Sequence, residues 1–194
     1  MILIVGLGNP GEEYKTSRHN TGFIVLDNIL GKADWKQSSG AKALFYKDSV
    51  FKKSVLYLKP QNFMNNSGAA VLYAQNEKIK IKSQDIVVIY DDIDLPLGSL
   101  KISFNRSSGG HNGLESVIKK IKSREFVRIR VGISPKTPSG KIRKPKGEEA
   151  ILKFLLGKFK EDELKEIKKI SKKVGEIIEM IIVEGREKAM SVFN

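Results

Sequence analysis

Short apolar runs rich in β-branched residues recur along the chain, separated by turn-forming residues, and they predict a series of strands. The predicted strands lie near Ile2–Leu7, Ala43–Lys47, Ser54–Leu58, Asp85–Tyr90, Ser99–Phe104 and Phe126–Ile133. Segments with helical spacing alternate with them, at about Gly22–Leu30, Gly68–Glu77 and Gly113–Ile121. This alternation favours an α/β fold, in which a twisted, mixed or largely parallel β-sheet carries helices on both faces.

The last third of the chain has a different character. Residues 136–147 carry five basic side chains and no acidic one, and their prolines and glycines predict a loop. In 161–183, Leu, Ile and Val recur at steps of three and four opposite a face of lysines, which predicts a long amphipathic helix. Packing on the sheet explains such a regular stripe better than binding to an anionic membrane. We therefore expect one domain over 1–194 that includes both segments.

The composition excludes several kinds of chemistry. The 194 residues include no cysteine, so disulfides, thiolate catalysis and cysteine-ligated zinc are excluded, and two distant histidines give little basis for a metal site. No apolar run approaches the roughly 18 residues that a membrane span needs, and the N-terminus has the pattern of a strand, not of a signal peptide. The expectation is a cytoplasmic protein with no metal and no membrane partner.

The charge is the most informative bulk property. Lys and Arg number 35 against 22 Asp and Glu, which leaves a net charge of +13. Such an excess favours a polyanionic partner, either nucleic acid or an anionic membrane surface. A heat-adapted surface is the alternative, but it usually raises glutamate together with lysine, and here the acidic residues lag behind. Nucleic acid is the favoured partner.

A glycine-rich turn follows the first predicted strand. The segment Gly6–Gly11 matches the dinucleotide-binding pattern G-x-G-x-x-G. Pro10 lacks an N–H, however, and Glu12 and Glu13 would repel a pyrophosphate, so a dinucleotide oxidoreductase is disfavoured. Open α/β sheets place their sites at such strand ends. Asn9 is therefore either a turn former or a polar group of a site.

A histidine and an acidic cluster are the next candidates. His19 lies in a polar stretch before a predicted helix, so helix capping or a surface position is the alternative to chemistry, and a core position is disfavoured. Asp91 ends a predicted apolar strand, where a carboxylate can hold a histidine Nδ1–H and leave Nε2 as a base. With Asp92 and Asp94 it could instead bind Mg²⁺ or Ca²⁺, but neither EF-hand spacing nor a phosphate loop accompanies the cluster.

Asparagines stand where the chain enters two predicted helices. Asn66 or Ser67 is a suitable N-cap, which leaves one asparagine, either Asn65 or Asn66, spare for chemistry. Asn112, followed by Glu115, resembles a capping box and has an equally good structural explanation. Basic side chains nearby are suited to phosphate or form a solvated strand face; they are Lys101, Arg106, Arg128 and Arg130.

Taken together, these segments resemble the bacterial-type peptidyl-tRNA hydrolase family along essentially the whole chain. The shared motifs are Gly6–Gly11 with Tyr14, Arg18–Gly22, Phe63–Gly68, Asp91–Pro96 and Gly109–Gly113. Each is weak alone, but their order and spacing are specific. The resemblance implies a single-domain fold with a mixed sheet and a monomeric, cofactor-free enzyme. That enzyme cuts the ester between a peptide and the 3′-terminal ribose of tRNA, which frees the tRNA for translation.

The resemblance also implies roles for particular residues. His19 is then the catalytic base and Asp91 its orienting partner. The substrate pocket is implied to include Asn9, Asn65, Asn112, Met64, Phe63 and Tyr14. The tRNA phosphates would meet Lys101, Arg106, Lys141, Arg143 and Lys144. The chain departs from the family at Ser103, where a second basic residue is frequent, and Arg106 could replace that charge.

The residues also favour a direct attack by water. No G-x-S-x-G turn and no cysteine offers a covalent nucleophile, so water activated by His19 is the simplest route. Asn9 or Asn112 is suited to stabilise the oxyanion, whereas Asn65 and Asn112 are suited to the peptide backbone. The rival from another class is a non-catalytic RNA-binding protein on the same scaffold. It predicts a basic surface without an intact set of base, carboxylate and asparagines, and here the set is intact.

Overall fold

A computed structural model of the chain describes residues 1–76, 81–137 and 139–194. Within these residues, seven strands form one sheet in the order β2-β3-β4-β1-β5-β7-β6. The strands are β1 (Ile2–Gly6), β2 (Lys36–Ser38), β3 (Ala43–Val50), β4 (Lys53–Pro60), β5 (Ile86–Pro96), β6 (Leu100–Phe104) and β7 (Val127–Ser134). β4, β1, β5 and β7 run parallel, and β2, β3 and β6 add antiparallel pairings at the two sides.

Helices cover both faces of this sheet. They are α1 (Thr21–Leu30), α2 (Ser67–Asn76), α3 (Asn112–Ile121), α4 (Glu148–Leu156), α5 (Glu161–Val183) and α6 (Arg186–Phe193). One apolar core forms between the sheet and α1, α5 and α6, and a second forms between the sheet and α2 and α3. The predicted α/β class, with a mixed, largely parallel sheet covered on both faces, is therefore confirmed. Among the described residues, no helix has both the length and the apolar character needed to cross a membrane.

Some elements differ from the prediction. α5 begins and ends at the predicted residues, whereas β2, α4 and α6 were not predicted. β2 has only three residues, all polar, and no residue of α4 is buried, so neither has the apolar pattern of an element packed in the core. Two predicted positions, Glu77 of the second helix and Pro138 of the basic loop, lie outside the described residues.

α1 lies directly against β1 because glycines leave no side chain between them. A Cβ atom on Gly22 would collide with the backbone N of Leu7, and one on Gly6 would lie 2.5 Å from Gly22 O. A Cβ on Gly8 would lie 2.7 Å from the ring of Phe23. Gly6 and Gly8 of this segment therefore serve helix–strand packing. α1 starts only after two further 3₁₀ turns, so no helix opens directly from this segment as it does in a dinucleotide-binding turn.

Candidate active site

His19 and Asp91 form a buried hydrogen-bonded pair. His19 lies in the 3₁₀ turn Arg18–Asn20, immediately before α1, and its Nδ1 atom is 3.0 Å from each oxygen of the Asp91 carboxylate. An ionised carboxylate only accepts, so Nδ1 carries the hydrogen and donates it. Nε2 has no hydrogen-bond partner within the described residues and is the nitrogen left to accept a proton. The alternative of a surface or capping position for His19 is excluded, since the residue is 6% exposed and Asn20 is the N-cap of α1.

Asp91 lies inside a strand, whereas the sequence predicted it at a strand end. β5 continues to Pro96, where it pairs with Ser134 of β7 after a local irregularity. The apolar pattern stops at Tyr90, but the backbone pairing does not, and this explains the difference. On the neighbouring strand, the Leu7 N–H donates to Ile89 O, so the turn that follows β1 lies beside Asp91. Asp91 is 2% exposed.

The electrostatics of the pair favour a charged histidine. Burial alone would lower the pKa of His19, but the negative charge of Asp91 and its hydrogen bond raise this pKa above the ordinary histidine value. Burial would likewise raise the pKa of Asp91, but the two adjacent histidines, His19 and His111, lower it well below the usual range. Asp91 is therefore ionised at neutral pH and stabilises the imidazolium form of His19.

His111 is a second histidine on the same carboxylate, and the sequence did not single it out for chemistry. Its Nε2 lies 3.2 Å from Asp91 Oδ1, and its Nδ1 accepts a 3.1 Å hydrogen bond from the Leu114 N–H. It is the N-cap of α3, a role expected for Asn112, which here is the first residue of the helix. His111 lies within the Gly109–Gly113 motif, but nothing in that motif indicated a contact with Asp91.

The same three side chains could in geometric terms hold a metal ion. One ligand atom from each of His19, Asp91 and His111 lies within 4.8 Å of the other two. Hydrogen bonds already account for these distances, because each histidine presents a donor nitrogen to an acceptor oxygen. The arrangement is that of a proton-transfer site, and no step of the chemistry below depends on a metal.

Asn9 is oriented by two neighbours. Its backbone N–H donates to Asn20 Oδ1 and its carbonyl accepts from Asn20 Nδ2, both at 2.9 Å, so Asn20 holds the turn after β1. The Met64 N–H donates to Asn9 Oδ1 at 2.7 Å. The side-chain oxygen is thereby occupied, and the Nδ2 group of Asn9 keeps no partner in the part of the chain that the structure describes. Asn20 is a site residue that sequence reasoning missed, although it lies in the Arg18–Gly22 motif.

The other predicted pocket residues differ in their burial and in whether they line the cavity. Met64 is buried and packs beneath Gly113, where a Cβ atom would collide with its Sδ. Asn112 lines the cavity described below, and Asn65 is exposed; neither side chain forms a hydrogen bond within the described residues. Ser67, whose hydroxyl donates to Met64 O, takes the structural role at the start of α2. Phe63, 59% exposed, and Tyr14, partly exposed, lie outside the cavity lining.

A cavity of about 1050 Å³ opens beside the pair. His19, Asp91 and Asn112 line it at one end, and residues of β6, β7, α4 and α6 line the remainder. Its basic lining residues are Lys101, Arg106, Arg128 and Arg130. Arg128 is fully buried, and its Nε and Nη1 atoms have no hydrogen-bond partner in the described structure, so it is not part of a solvated strand face. The cavity thus combines a histidine base with positive charge.

The basic loop lies outside this lining. Lys141, Arg143 and Lys144 are exposed, and none of the three lines the cavity. Lys144 pairs with Asp94 at the end of β5, and a bridge between Lys136 and Ile142 closes the loop on itself. The predicted tRNA-binding residues therefore divide between the cavity wall and an adjacent exposed loop.

Comparison with known proteins agrees with this geometry. The family model for peptidyl-tRNA hydrolase matches residues 3–194. The chain is 40% identical to the peptidyl-tRNA hydrolase of Clostridium acetobutylicum, with 100% of this chain and 98% of that protein covered. It is 41% identical to the Aquifex aeolicus peptidyl-tRNA hydrolase over 99% of this chain and 95% of the relative.

A solved structure gives the same result. The crystal structure of peptidyl-tRNA hydrolase from Acinetobacter baumannii superimposes with a TM-score of 0.88 at 26% identity, covering 100% of this chain and 94% of the other. Sequence and fold therefore agree along essentially the whole chain. The chain belongs to the peptidyl-tRNA hydrolase family of enzymes.

Proposed function

We propose that this chain hydrolyses the ester between a peptide and the 3′-terminal ribose of tRNA, with His19 as the general base. The observation that carries the assignment of the base is the pair described above, in which Asp91 holds Nδ1–H and Nε2 remains free at the cavity. Family membership supplies the reaction, and the pair supplies a means to perform it with water. The protein acts as a cytoplasmic monomer.

The steps follow from these atoms. His19 Nε2 takes a proton from water as the water oxygen attacks the ester carbonyl carbon, and Asp91 stabilises the resulting imidazolium. The carbonyl oxygen becomes an oxyanion in the tetrahedral intermediate. When the intermediate collapses, the bond to the ribose oxygen breaks and that oxygen receives the proton from Nε2. The products are a peptide with a free carboxylate and a tRNA with a free 3′-hydroxyl.

The asparagines serve two further roles, which are stabilisation of the oxyanion and recognition of the peptide backbone. Asn9 is suited to the oxyanion, because its oxygen is occupied by the Met64 N–H and only its Nδ2 donor is free. Asn65 and Asn112 keep both a donor and an acceptor free, which matches the N–H and C=O groups of a peptide backbone. Recognition of the backbone alone explains how one enzyme accepts any peptide. Phe63, Met64 and Tyr14 are the further residues that the family resemblance assigns to this peptide site, although none of them lines the cavity.

The positive charge serves the tRNA half of the substrate. Lys101 and Arg106 line the cavity, and Lys141, Arg143 and Lys144 extend the basic surface beyond it. Contacts with phosphates neutralise charge without reading the base sequence, so they suit an enzyme that must accept every tRNA. Arg106 supplies positive charge in the absence of a basic residue at Ser103.

Hydrolysis of N-acetyl-aminoacyl-tRNA tests the proposal. The His19→Ala variant is expected to lose roughly 10²- to 10⁴-fold in kcat, the range that general-base catalysis supplies. Glu13→Gln, in an exposed turn just before it, is the matched control and should retain full activity. Both variants are purified identically, so that any enzyme carried over from the host appears equally in each. Near-normal turnover by His19→Ala would remove His19 as the base.

A second comparison tests recognition of the blocked peptide. An aminoacyl-tRNA with a free α-ammonium places a charge where the site offers partners for an amide N–H, so it should react far more slowly than its N-acetylated form. Equal rates for the two substrates would contradict the assignment of Asn65 and Asn112 to the peptide backbone.

A further inference from the structure

We propose that His111 is a positioning residue, which acts as a neutral donor that holds the Asp91 carboxylate for His19 while its other nitrogen caps α3. The proposal rests on the function proposed for His19 and Asp91. It extends that function, because it explains what holds the buried Asp91 carboxylate in place and what limits the effect of this carboxylate on the pKa of His19.

The hydrogen bonds of His111 determine which nitrogen carries its hydrogen. The Leu114 backbone N–H can only donate, so Nδ1 of His111, 3.1 Å away, must present its lone pair. A neutral ring then carries its hydrogen on Nε2, which lies 3.2 Å from Asp91 Oδ1 and donates to it. A doubly protonated ring would set an Nδ1–H against the Leu114 N–H, so this geometry requires the neutral form.

Histidine is an unusual residue for the capping position. Ser, Thr, Asp and Asn are preferred as N-caps, and Asn112, one of these types, stands one position further along. The chain instead places the cap on His111, whose second nitrogen extends past the helix end to Asp91. No shorter capping side chain makes both contacts. This argues that the contact with Asp91, in addition to the cap, accounts for the histidine.

Packing fixes the His111 ring. Its centroid lies 4.9 Å from the ring of His19 and 4.9 Å from the ring of Tyr90, and its side chain is 9% exposed. In the described structure, the ionisable groups against the ring are His19, Asp91 and Tyr90. Burial raises the pKa of Tyr90 to about 12, so Tyr90 is neutral there.

Other charged groups lie one contact further away. Asp92, Arg128 and Arg130 act on Tyr90 from β5 and β7, and Glu115 follows His111 on α3 itself. Their charges remain unchanged in the variants below, so a change in the titration of His19 reports on Asp91 and His111.

A positioning role of His111 predicts a change in the pKa of His19 that a purely structural role does not. Asp91 Oδ1 receives hydrogen bonds from both rings, so part of its charge is balanced by His111. Without that donor, more of the negative charge acts on His19 and water gains access to the pair. Both changes stabilise the imidazolium of His19. The pKa of His19 should therefore rise further, and the acid limb of the activity profile should move to higher pH.

Two substitutions separate the contacts of His111. His111→Asn supplies a preferred capping oxygen in place of Nδ1 but is too short to reach Asp91. His111→Gln places an amide near the position of Nε2, where it can donate to Asp91, but gives up the cap. The first variant should retain the wild-type Tm, lose roughly 3- to 10-fold in kcat and raise the acid-limb midpoint by roughly half to one pH unit. The second should show a lower Tm and a midpoint close to wild type.

Nuclear magnetic resonance measures the titration of His19 and the tautomer of His111 without a catalytic assay. The chain has two histidines, so His19 is the only histidine left in His111→Asn and its titration is unambiguous. ¹⁵N spectra of the wild type should show His111 with its hydrogen on Nε2. A hydrogen on Nδ1, or a His19 titration unchanged in His111→Asn, would overturn the proposal. Failure of the wild type to hydrolyse N-acetyl-aminoacyl-tRNA would instead refute the proposed function and leave these spectra interpretable.

Discussion

The Met64 backbone N–H donates a 2.7 Å hydrogen bond to Asn9 Oδ1, and this contact determines which end of the Asn9 amide is free. Asn9 is 7% exposed, and Asn20 holds its backbone on both sides, so the side chain has little freedom to turn over. An amide fixed in this way is a donor that needs no rearrangement when charge develops on the substrate, which is the condition for efficient oxyanion stabilisation.

Asn9→Asp tests this role of the amide. The substitution keeps an acceptor for the Met64 N–H, so the turn should remain folded, but it replaces the Nδ2 donor with a negative oxygen. We expect kcat to fall by roughly 10²- to 10³-fold with little change in KM. Asn66→Asp is the control, because Asn66 is an exposed residue of the nearby 3₁₀ turn. A KM effect alone would assign Asn9 to substrate binding.

The pH dependence of kcat/KM tests the His19–Asp91 pair. The base must be neutral to act, and the charge of Asp91 raises the pKa of His19, so activity should decline below a midpoint that lies above 6.5. In Asp91→Asn the attraction is lost and burial, which lowers this pKa, prevails. The acid limb should then move to lower pH, and kcat should fall by roughly 10²-fold.

Asp85→Asn, at an exposed position just before β5, is the control for this experiment and should leave the profile unchanged. An acid limb that remains in place in Asp91→Asn would show that the two side chains are not coupled in solution.

The same pair makes the free energy of unfolding depend on pH. Asp91 has a lowered pKa when folded, so its contribution is present above the unfolded value of 3.8 and is lost as the pH falls. His19 has a raised pKa when folded, so its contribution is present below the unfolded value of 6.5 and is lost as the pH rises through the folded value. Urea unfolding should therefore show the largest deficit of Asp91→Asn between these two values. A deficit that is larger at pH 8 than at about pH 5 would contradict this linkage.

Arg18 joins the turn that carries His19 to the start of α5. Its guanidinium is within 2.9 Å of Glu163 and lies 4.5 Å from the centroid of the Phe154 ring, and the two charged side chains are 12% and 14% exposed. Arg18→Ala should lower the free energy of unfolding by about 2–4 kcal/mol, because it leaves Glu163 unpaired in a largely buried site.

Lys15→Ala removes one member of an exposed ion pair in the adjacent turn and is the comparison, expected to cost at most about 1 kcal/mol. Chemical denaturation measures both values. Equal effects of the two substitutions would mean that the Arg18 ion pair and its packing add nothing beyond a surface charge.

Salt dependence tests the positive wall of the cavity. Each phosphate contact contributes a slope of roughly 0.7 to 0.9 to the fall of log K with log salt, so Lys101→Ala and Arg106→Ala should each weaken tRNA binding and reduce the slope by about that amount. Lys36→Ala, on the opposite edge strand β2, is the control. Filter binding from 50 to 300 mM salt measures the slopes, and identical slopes for all three variants would exclude Lys101 and Arg106 from the tRNA contact.

Hydrophobic periodicity predicted the helices and strands whose side chains enter a core. It failed for segments whose structure depends on pairing with a strand distant in sequence or that bury no side chain. The stripe of α5 located the helix, because Ile and Val are buried at short intervals from Ile167 to Ile182. β5 was predicted too short, since acidic residues interrupt its apolar pattern after Tyr90 while its pairing with β7 continues. α4 was missed because it buries no residue and so has no apolar stripe of the kind that faces a core. Its Ile151 and Leu155 line the cavity instead.

The site residues show the same limit. The family motifs indicated His19, Asp91 and Asn9. The structure brings His19 and Asp91 into contact with each other, and Asn9 lies in the adjacent turn. No local pattern indicated that His111 would be the helix cap in place of Asn112, because the choice depends on Asp91, distant in sequence but adjacent across the sheet.

The close approach of Gly22 to Leu7 has a mechanical consequence. With no side chain between α1 and β1, the helix and the strand can neither slide nor tilt against each other without a backbone clash. The turn that carries His19 is continuous with that helix, so the base is mounted on a rigid frame. α4, which buries no residue, also lines the cavity and contacts the His19 turn through Phe154 and Arg18. The rigidity of the turn that carries His19 therefore comes from the packing of α1 against β1, and not from the side of the cavity that α4 lines.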